Sequence, residues 1–152
     1  PISFNLILNL VSASGKSDPD FILDFIKKYD DSVINSDHNF MLELITGAIS
    51  FEKNVNANKI QFKVPSEEEK IIFLDLINRI ELLPDNVDAE TIQTEIYQIG
   101  KDYKFDNLRD WFKLIYQVLF GKSDGPRFGT FIAIYGIKET MQLIRERIKV
   151  SK

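Results

Sequence analysis

The sequence predicts an all-α fold of about eight helices, arranged in one or two small helical subdomains. Apolar residues recur at three- and four-residue intervals, the spacing of amphipathic helices, through most of the 152 residues. Residues typical of helix caps stand at the ends of these apolar segments. No stretch alternates apolar and polar residues over enough positions to require a β-strand. These observations together favour a fold made of helices alone.

Residues 1–53 form the predicted amino-terminal helical subdomain, which contains three helices. The first helix is apolar on most of its sides, so we expect it to be buried. Asp18 followed by Pro19 starts the second helix, because an aspartate N-cap and a first-turn proline both favour a helix start. Ser36 and Asp37 can cap the third helix.

Residues 54–66 form the predicted connector, and residues 67–152 form the predicted carboxyl-terminal helical subdomain. Ser66 and Glu69 have the spacing of a capping box, which starts the fourth helix. The fifth helix carries regularly spaced isoleucines. It is predicted to end just before Gly100, which would then be its C′ glycine.

Three more helices complete the predicted carboxyl-terminal subdomain. Asn107 caps a helix over residues 108–120, since asparagine is a strong N-cap residue. Pro126 opens a short helix that ends at Gly136. The last predicted helix covers residues 138–149.

Composition limits the classes of function. Apolar content of 44% and charged content of 28% are those of an ordinary soluble globular protein. No run approaches the roughly 20 apolar residues that a membrane span needs. Cysteine is absent, which excludes disulfides, thiol catalysis and cysteine zinc sites and fits a cytoplasmic location. Pro1 stands where an initiator Met would be, and no basic signal segment follows, so we expect an excised domain.

Charge is distributed unevenly along the chain. Residues 1–97 carry 8 basic and 17 acidic side chains, whereas residues 98–152 carry 11 basic and 6 acidic ones. The overall net charge of −4 argues against a general nucleic-acid-binding protein, whose domain is usually basic. If a polyanion binds this chain, we therefore expect it to bind the carboxyl-terminal third.

No catalytic or metal-binding constellation is apparent. Gly-Lys-Ser tripeptides at residues 15–17 and 121–123 resemble the end of a phosphate-binding P-loop. That motif needs a glycine five residues earlier, where Leu10 and Tyr116 stand, so both tripeptides are interpreted as helix C-caps. His38 is the single histidine and has no acid or serine at a suggestive spacing. We expect no catalytic residue, metal or cofactor in this chain.

The segment 105–136 interleaves cationic and aromatic residues. This mixture suits single-stranded RNA, because unpaired bases stack on rings or guanidinium planes while Arg and Lys meet phosphates. Burial in the core is the alternative for each aromatic side chain here, and solvation is the alternative for each cation. The candidate RNA-binding residues are Arg109, Trp111, Lys113, Lys122, Arg127, Phe128 and Arg145.

Several motifs are similar to those of a known protein family. They lie at residues 89–104, 108–112 (Leu-Arg-Asp-Trp-Phe) and 125–136 (beginning Gly-Pro-Arg-Phe-Gly). Together with the hydrophobic helix at residues 1–13, they resemble the carboxyl-terminal region of class I lysyl-tRNA synthetases. The Gly-Pro…Gly…Thr pattern at residues 125–130 also resembles bacterial glutamyl-tRNA synthetases, which share the helical anticodon-binding cage of this enzyme class.

The resemblance implies a helical cage that binds the anticodon loop of lysine tRNA. In this family the parent enzyme joins lysine to its tRNA with ATP, in a Rossmann-type domain of the same polypeptide. That domain carries HIGH and KMSKS signatures, and neither appears in this sequence. Within the cage, Arg127 and Phe128 are expected to lie beside a base, with Trp111 shaping the pocket wall or lying beneath it.

Two readings of other classes remain open at the level of sequence. The apolar helices and the acidic first two thirds permit a helical module that docks a protein partner. A small helical scaffold without a ligand is also compatible with the pattern. RNA binding should weaken steeply with added salt, whereas an apolar docking groove should respond little.

Overall fold

The structure is a computed structural model that describes residues 2–30 and 32–150, without the side chains of residues 32–37. Within these residues it contains eight α-helices, a short π-helical segment and no strand, so the predicted all-α fold is confirmed. The helices are α1 (Phe4–Ser14), α2 (Pro19–Tyr29), α3 (Ser32–Phe51), α4 (Glu67–Glu81), α5 (Ala89–Asp102), α6 (Leu108–Leu119), α7 (Phe128–Tyr135) and α8 (Ile137–Ile148).

The chain divides into two compact units, Pro1–Ile60 and Gln61–Lys152. The first unit contains α1 to α3 and the π-helical segment Glu52–Asn56, and the second contains α4 to α8. The subdomain borders expected from the sequence stay a prediction: residues 1–53, 54–66 and 67–152.

Helix ends in the first unit follow local side-chain chemistry. α2 starts as predicted, with Pro19 in its first turn and the Asp18 carboxylate accepting a hydrogen bond from the Asp20 backbone N–H at 3.0 Å. Gly15 caps α1 in the left-handed region, at φ 66°, as the C-cap interpretation requires. α3 begins at Ser32, so the predicted cap position is wrong: Ser36 and Asp37 lie inside the helix and not at its start. Their side chains lie outside the described ones.

The second unit is built around a core of large aromatic side chains. Trp111, Phe73, Phe128 and Phe131 are all fully buried. The Trp111 indole N–H donates to the Ile96 carbonyl at 2.9 Å, which satisfies its single donor in the core and links α6 to α5. The buried Trp111 side chain therefore fixes the position of α6 against α5.

Gly100 is not the C′ glycine that the sequence predicted. α5 continues to Asp102, and Gly100 lies inside the helix. A Cβ at this position would come within 2.7 Å of both Leu108 Cδ2 and Trp111 Cδ1. The glycine is needed for the close approach of α6 to α5 rather than for ending a helix, and a single sequence does not distinguish these two uses.

A second glycine brings α7 against α5. A Cβ on Gly129 would lie 2.6 Å from the Ala89 carbonyl oxygen. The Gly129 backbone N–H donates to Gln93 Oε1 at 2.6 Å, so a buried amide group satisfies one of the free N–H groups at the start of α7. These contacts fix the start of α7 on α5, and with it the carboxyl end of the preceding turn, residues 121–127.

Candidate nucleic-acid interface

The exposed side of α6 forms one wall of the candidate site. Asn107 caps the helix as predicted, with its side-chain oxygen accepting a hydrogen bond from the Arg109 backbone N–H at 2.9 Å. Trp111 and Ile115 face the core and are fully buried, whereas Arg109 and Lys113 are exposed. The amphipathic pattern of the helix thus directs two of the predicted cations to solvent.

A groove of about 360 Å³ runs between this side of α6 and the turn that follows the helix. Its volume lies within the range of roughly 300–1,000 Å³ that is typical of small-molecule sites. Its chemistry combines cations, aromatic rings, carboxylates and a hydroxyl. The lining residues are Asn107, Arg109, Asp110, Phe112, Lys113, Tyr116, Ser123, Asp124 and Gly125.

The turn opposite α6 is held in place by Tyr116. Gly121 adopts the left-handed conformation, φ 70°, and reverses the chain at the end of the helix. The Lys122 backbone N–H then reaches the Tyr116 carbonyl at 3.4 Å, and the Tyr116 hydroxyl donates to the Pro126 carbonyl. One residue therefore holds the turn at two points, so the groove is preformed.

Burial acts strongly on Tyr116, which is only 8% exposed. Burial, and to a smaller extent the nearby Tyr97 and Asp124, raises the pKa of the Tyr116 phenol to about 12. The hydroxyl therefore keeps its proton, and its hydrogen bond to the turn, at neutral pH. The groove wall is neutral at this position.

Phe112 gives the groove an accessible aromatic surface. It is half-buried and packs edge-to-face with Tyr97, with ring centroids 5.1 Å apart and an angle of 68° between the rings. Tyr97 itself is 40% exposed. Such edge-to-face pairs stabilise the orientation of both rings, so Phe112 is positioned before any ligand arrives.

The charges around the groove are balanced. The groove is lined by two cations, Arg109 and Lys113, and by two carboxylates, Asp110 and Asp124. Among the described residues, neither Arg109 nor Lys113 has a carboxylate within ion-pair distance. These two cations therefore reach an incoming anion without first giving up a partner.

The other predicted cations have different surroundings. Arg127 pairs with Glu90 at 2.7 Å, and both side chains are largely exposed. Arg145 pairs with Glu81 at 3.0 Å, and its side chain is only 15% exposed. Lys122 is half-buried at the turn itself, one residue before the groove-lining Ser123. The structure thus brings Arg109 and Lys113 to the groove and ties Arg127 and Arg145 to helices α5 and α4.

The two predicted aromatic residues lie in the core. Phe128 is fully buried and stacks nearly parallel on Phe131, with centroids 6.0 Å apart and an angle of 10°. Trp111 is fully buried between the rings of Phe73 and Phe105, at centroid distances of 5.7 and 5.4 Å. Contact with a base needs an accessible ring, and neither residue offers one here, because α6 and α7 use these positions for packing.

Several groove residues were not predicted from the sequence. Phe112, Tyr116 and Asp124 line the site but were not among the candidates. A signal existed for the first two: together with Arg109 and Lys113 they follow the i, i+3, i+4, i+7 spacing of one helix face. The contribution of residues 123–125 depends on how the turn folds back, and the sequence carries no comparable signal for it.

Two further findings concern other kinds of site. Within the described part of the chain, no three His, Cys, Asp or Glu side chains are placed to hold a metal ion. In the same part, no helix combines the length and the apolar character needed to cross a membrane.

Curated relatives of this chain carry the name lysine–tRNA ligase. The protein of Rickettsia bellii (strain OSU 85-389) is 41% identical over 148 residues, covering 97% of this chain and 28% of the relative. Those of Rickettsia felis and Rickettsia conorii are 38% and 36% identical over 147 and 148 residues, with the same coverage. The chain is similar to a region of lysine–tRNA ligases.

The chain spans only about 28% of the length of the curated relatives that it matches. Neither a protein-family model nor a solved structure matches it. The similarity is therefore confined to one region of each of these larger enzymes.

Proposed function

We propose that this chain is the anticodon-recognition domain in the carboxyl-terminal part of a class I lysine–tRNA ligase. It would hold lysine tRNA while a Rossmann-type catalytic domain of the same cytoplasmic polypeptide carries out the ATP-dependent aminoacylation. The observation that carries the proposal is the similarity of 97% of the chain to a region of lysine–tRNA ligases. The motifs at residues 108–112 and 125–136, which resemble the class I enzymes, support the class and the location.

In this proposal the groove beside α6 receives one unstacked base of the anticodon loop. Phe112 supplies a ring for stacking, a contact that typically contributes about 1–3 kcal/mol per base. Asp124 and Ser123 line the opposite wall. A carboxylate there can accept a hydrogen bond from the ring N–H of uracil, and the serine hydroxyl can donate to a uracil carbonyl.

Phosphates on either side of that base would meet Arg109 and Lys113. These are the two groove cations without an ion pair among the described residues, so binding a phosphate replaces only water. Asp110 and Asp124 disfavour a phosphate inside the groove itself, since like charges at short range repel. The charge pattern thus favours a neutral base in the groove and its phosphates at the rim.

The remaining predicted residues take supporting roles in the proposal. Arg127 reaches RNA only by leaving Glu90, and Lys122 contributes from the turn. Arg145 holds α8 on α4 through Glu81, and Trp111 and Phe128 fix the helices beneath the groove. Direct contact with RNA is therefore proposed for Arg109, Phe112 and Lys113 first.

The test is binding of the whole chain to a lysine anticodon stem-loop and to the same stem-loop with its anticodon uridines replaced. Both are measured at about 50 and 200 mM salt, because phosphate contacts make affinity fall with salt. We expect salt-sensitive binding, with an affinity at least about tenfold weaker for the replaced loop. One mismatched base pair causes a loss of this size in protein–DNA complexes. Equal affinity for both loops would contradict anticodon recognition.

A protein-docking role is the second candidate, and one observation favours it. α4 exposes the apolar residues Ile71 and Leu74, at 58% and 41%, and Leu82 just beyond the helix is 84% exposed. Binding through these residues would respond little to salt. Failure of both stem-loops to bind, with the chain shown to be folded, would favour this role.

A further inference from the structure

A second accessible ring, Phe62, lies at the carboxyl end of α6. Phe62 is 46% exposed, and the guanidinium carbon of Arg147 lies 4.7 Å from its ring centroid. An exposed phenylalanine alone is common on protein surfaces. A ring that is paired with a guanidinium on the surface is a cation–π pair, and both members of such a pair can engage a nucleotide.

Both members of the pair are held by hydrogen bonds to the end of α6. The backbone N–H groups of Gln61 and Lys63 donate to the carbonyls of Gly121 and Gln117, each at 3.0 Å, so Phe62 is fixed between two anchors. Arg147 Nε donates to the Leu119 carbonyl at 3.1 Å. The pair is therefore preorganised, and a ligand would lose little binding free energy to ordering it.

The electrostatic surroundings suit an anion. Arg147 lies in the last turn of α8, and Lys149 follows the helix as an exposed cap residue, whereas Arg145 in the same turn is paired with Glu81. Lys63 lies beside Phe62 and has a side chain that is 43% exposed, although it pairs with Glu69 at 3.1 Å. Lys149 and Arg147 are thus available to a phosphate next to a stacked base.

The segment that carries Phe62 is anchored to residues next to those that line the groove. Gln117, which anchors Lys63, directly follows the groove residue Tyr116 in α6. Gly121, which anchors Gln61, begins the turn whose residues 123–125 form the opposite wall of the groove. The same short stretch of chain, residues 116–125, therefore contributes residues to the groove and anchors the segment that carries Phe62.

We propose that Phe62 and Arg147 form a second platform, which stacks an unpaired nucleotide adjoining the one held in the groove. The proposal rests on the function proposed above and adds a site to it. The platform offers a ring face and a cation but no set of hydrogen-bonding groups around a base edge. It should therefore strengthen binding without selecting the base.

A fluorescence experiment tests the contact directly. Phe62→Trp places an indole at the platform, and the single natural tryptophan, Trp111, is fully buried and gives a constant background. The control is Phe40→Trp, since Phe40 is 57% exposed and belongs to the first unit. On titration with the lysine anticodon stem-loop, we expect the Phe62→Trp signal to be quenched in step with binding, and the control signal to stay constant.

Phe62→Leu, which keeps apolar bulk but removes the ring, provides the matched affinity measurement. We expect it to weaken stem-loop binding about 5- to 150-fold, the range for loss of one stacked base, while preference for the anticodon uridines is retained. Unchanged affinity together with no quenching would overturn the platform, and intact uridine preference would leave the proposed function standing. If the folded wild-type chain binds neither stem-loop, both proposals fall.

Discussion

The groove beside α6 and the contacts of α7 and α8 use the same residue types in opposite ways. Arg109 and Lys113 stand at the groove without an ion pair among the described residues, whereas Arg127 and Arg145 are paired with Glu90 and Glu81. All four belong to the basic carboxyl-terminal third of the sequence. A basic segment is thus not one binding surface, because the fold decides which of its cations remain available.

The aromatic side chains divide in the same way. Phe112 is half-buried at the groove, whereas Phe128 is fully buried against Phe131. A buried ring contributes to folding and a partly exposed one can contribute to binding. The comparison therefore predicts that variants on the two sides will change different measured quantities.

The largest expected effect is on folding. Phe128→Ala should lower the free energy of unfolding by about 3–5 kcal/mol, because it leaves a cavity in the core of the second unit. Urea unfolding of this variant and of Phe40→Ala, whose side chain is 57% exposed, gives the measurement and its control. A loss below about 1 kcal/mol for Phe128→Ala would mean that this ring is not a core residue, since surface changes stay in that range.

An intermediate effect is expected from the groove wall at high pH. The pKa of Tyr116 is raised to about 12 in the folded protein, against roughly 10 in an unfolded chain. Between these values the unfolded chain releases the proton while the folded chain retains it. The contribution of Tyr116 to the free energy of unfolding should therefore fall by about 2 kcal/mol as the pH rises from 10 to 12.

Tyr116→Phe isolates this contribution. The pKa values of Tyr103 and Tyr135 are also raised, mainly by burial, so part of the alkaline loss is common to both proteins. The variant should be less stable at neutral pH by about 1 kcal/mol, the typical value of one hydrogen bond, and should lose less stability above pH 10. Identical alkaline slopes in the two proteins would show that Tyr116 is not shielded from solvent.

The smallest expected effect comes from the paired arginine. Arg127→Gln breaks an exposed ion pair, so stability should change by less than about 1 kcal/mol. Affinity for the lysine anticodon stem-loop should change by less than about threefold, because the side chain must first leave Glu90 to reach RNA. Fluorescence-anisotropy titration measures this, and a loss above about tenfold, or 1.4 kcal/mol, would place Arg127 in direct contact with RNA.

The sequence was informative where structure depends on neighbouring residues. The caps at Asp18, Ser66 and Asn107 were confirmed, since each N-cap side chain accepts a hydrogen bond from a backbone N–H in the first turn of its own helix. The role of Gly100 was wrong because it depends on Trp111, which reaches it only through packing of α6 on α5.

Sequence patterns also did not predict which cations are held in ion pairs and which remain free to bind RNA. Arg127 meets a carboxylate 37 residues away, and Arg145 meets one 64 residues away. Local spacing carries no information about such partners, and it equally misses the turn that brings Ser123 and Asp124 opposite α6. By contrast, the face shared by Arg109, Phe112 and Tyr116 follows from helical spacing once the helix is recognised.

The most direct test of the central claim compares two double variants that remove the same charge. Arg109→Gln with Lys113→Gln alters the groove, and Arg127→Gln with Arg145→Gln alters the paired cations. The measurement is the dependence of stem-loop affinity on salt, with circular dichroism to show that both variants are folded. We expect the groove variant to reduce the slope by about 0.7 for each lost phosphate contact, and the other variant to keep the wild-type slope. A reduced slope only in the Arg127 and Arg145 variant would contradict the account.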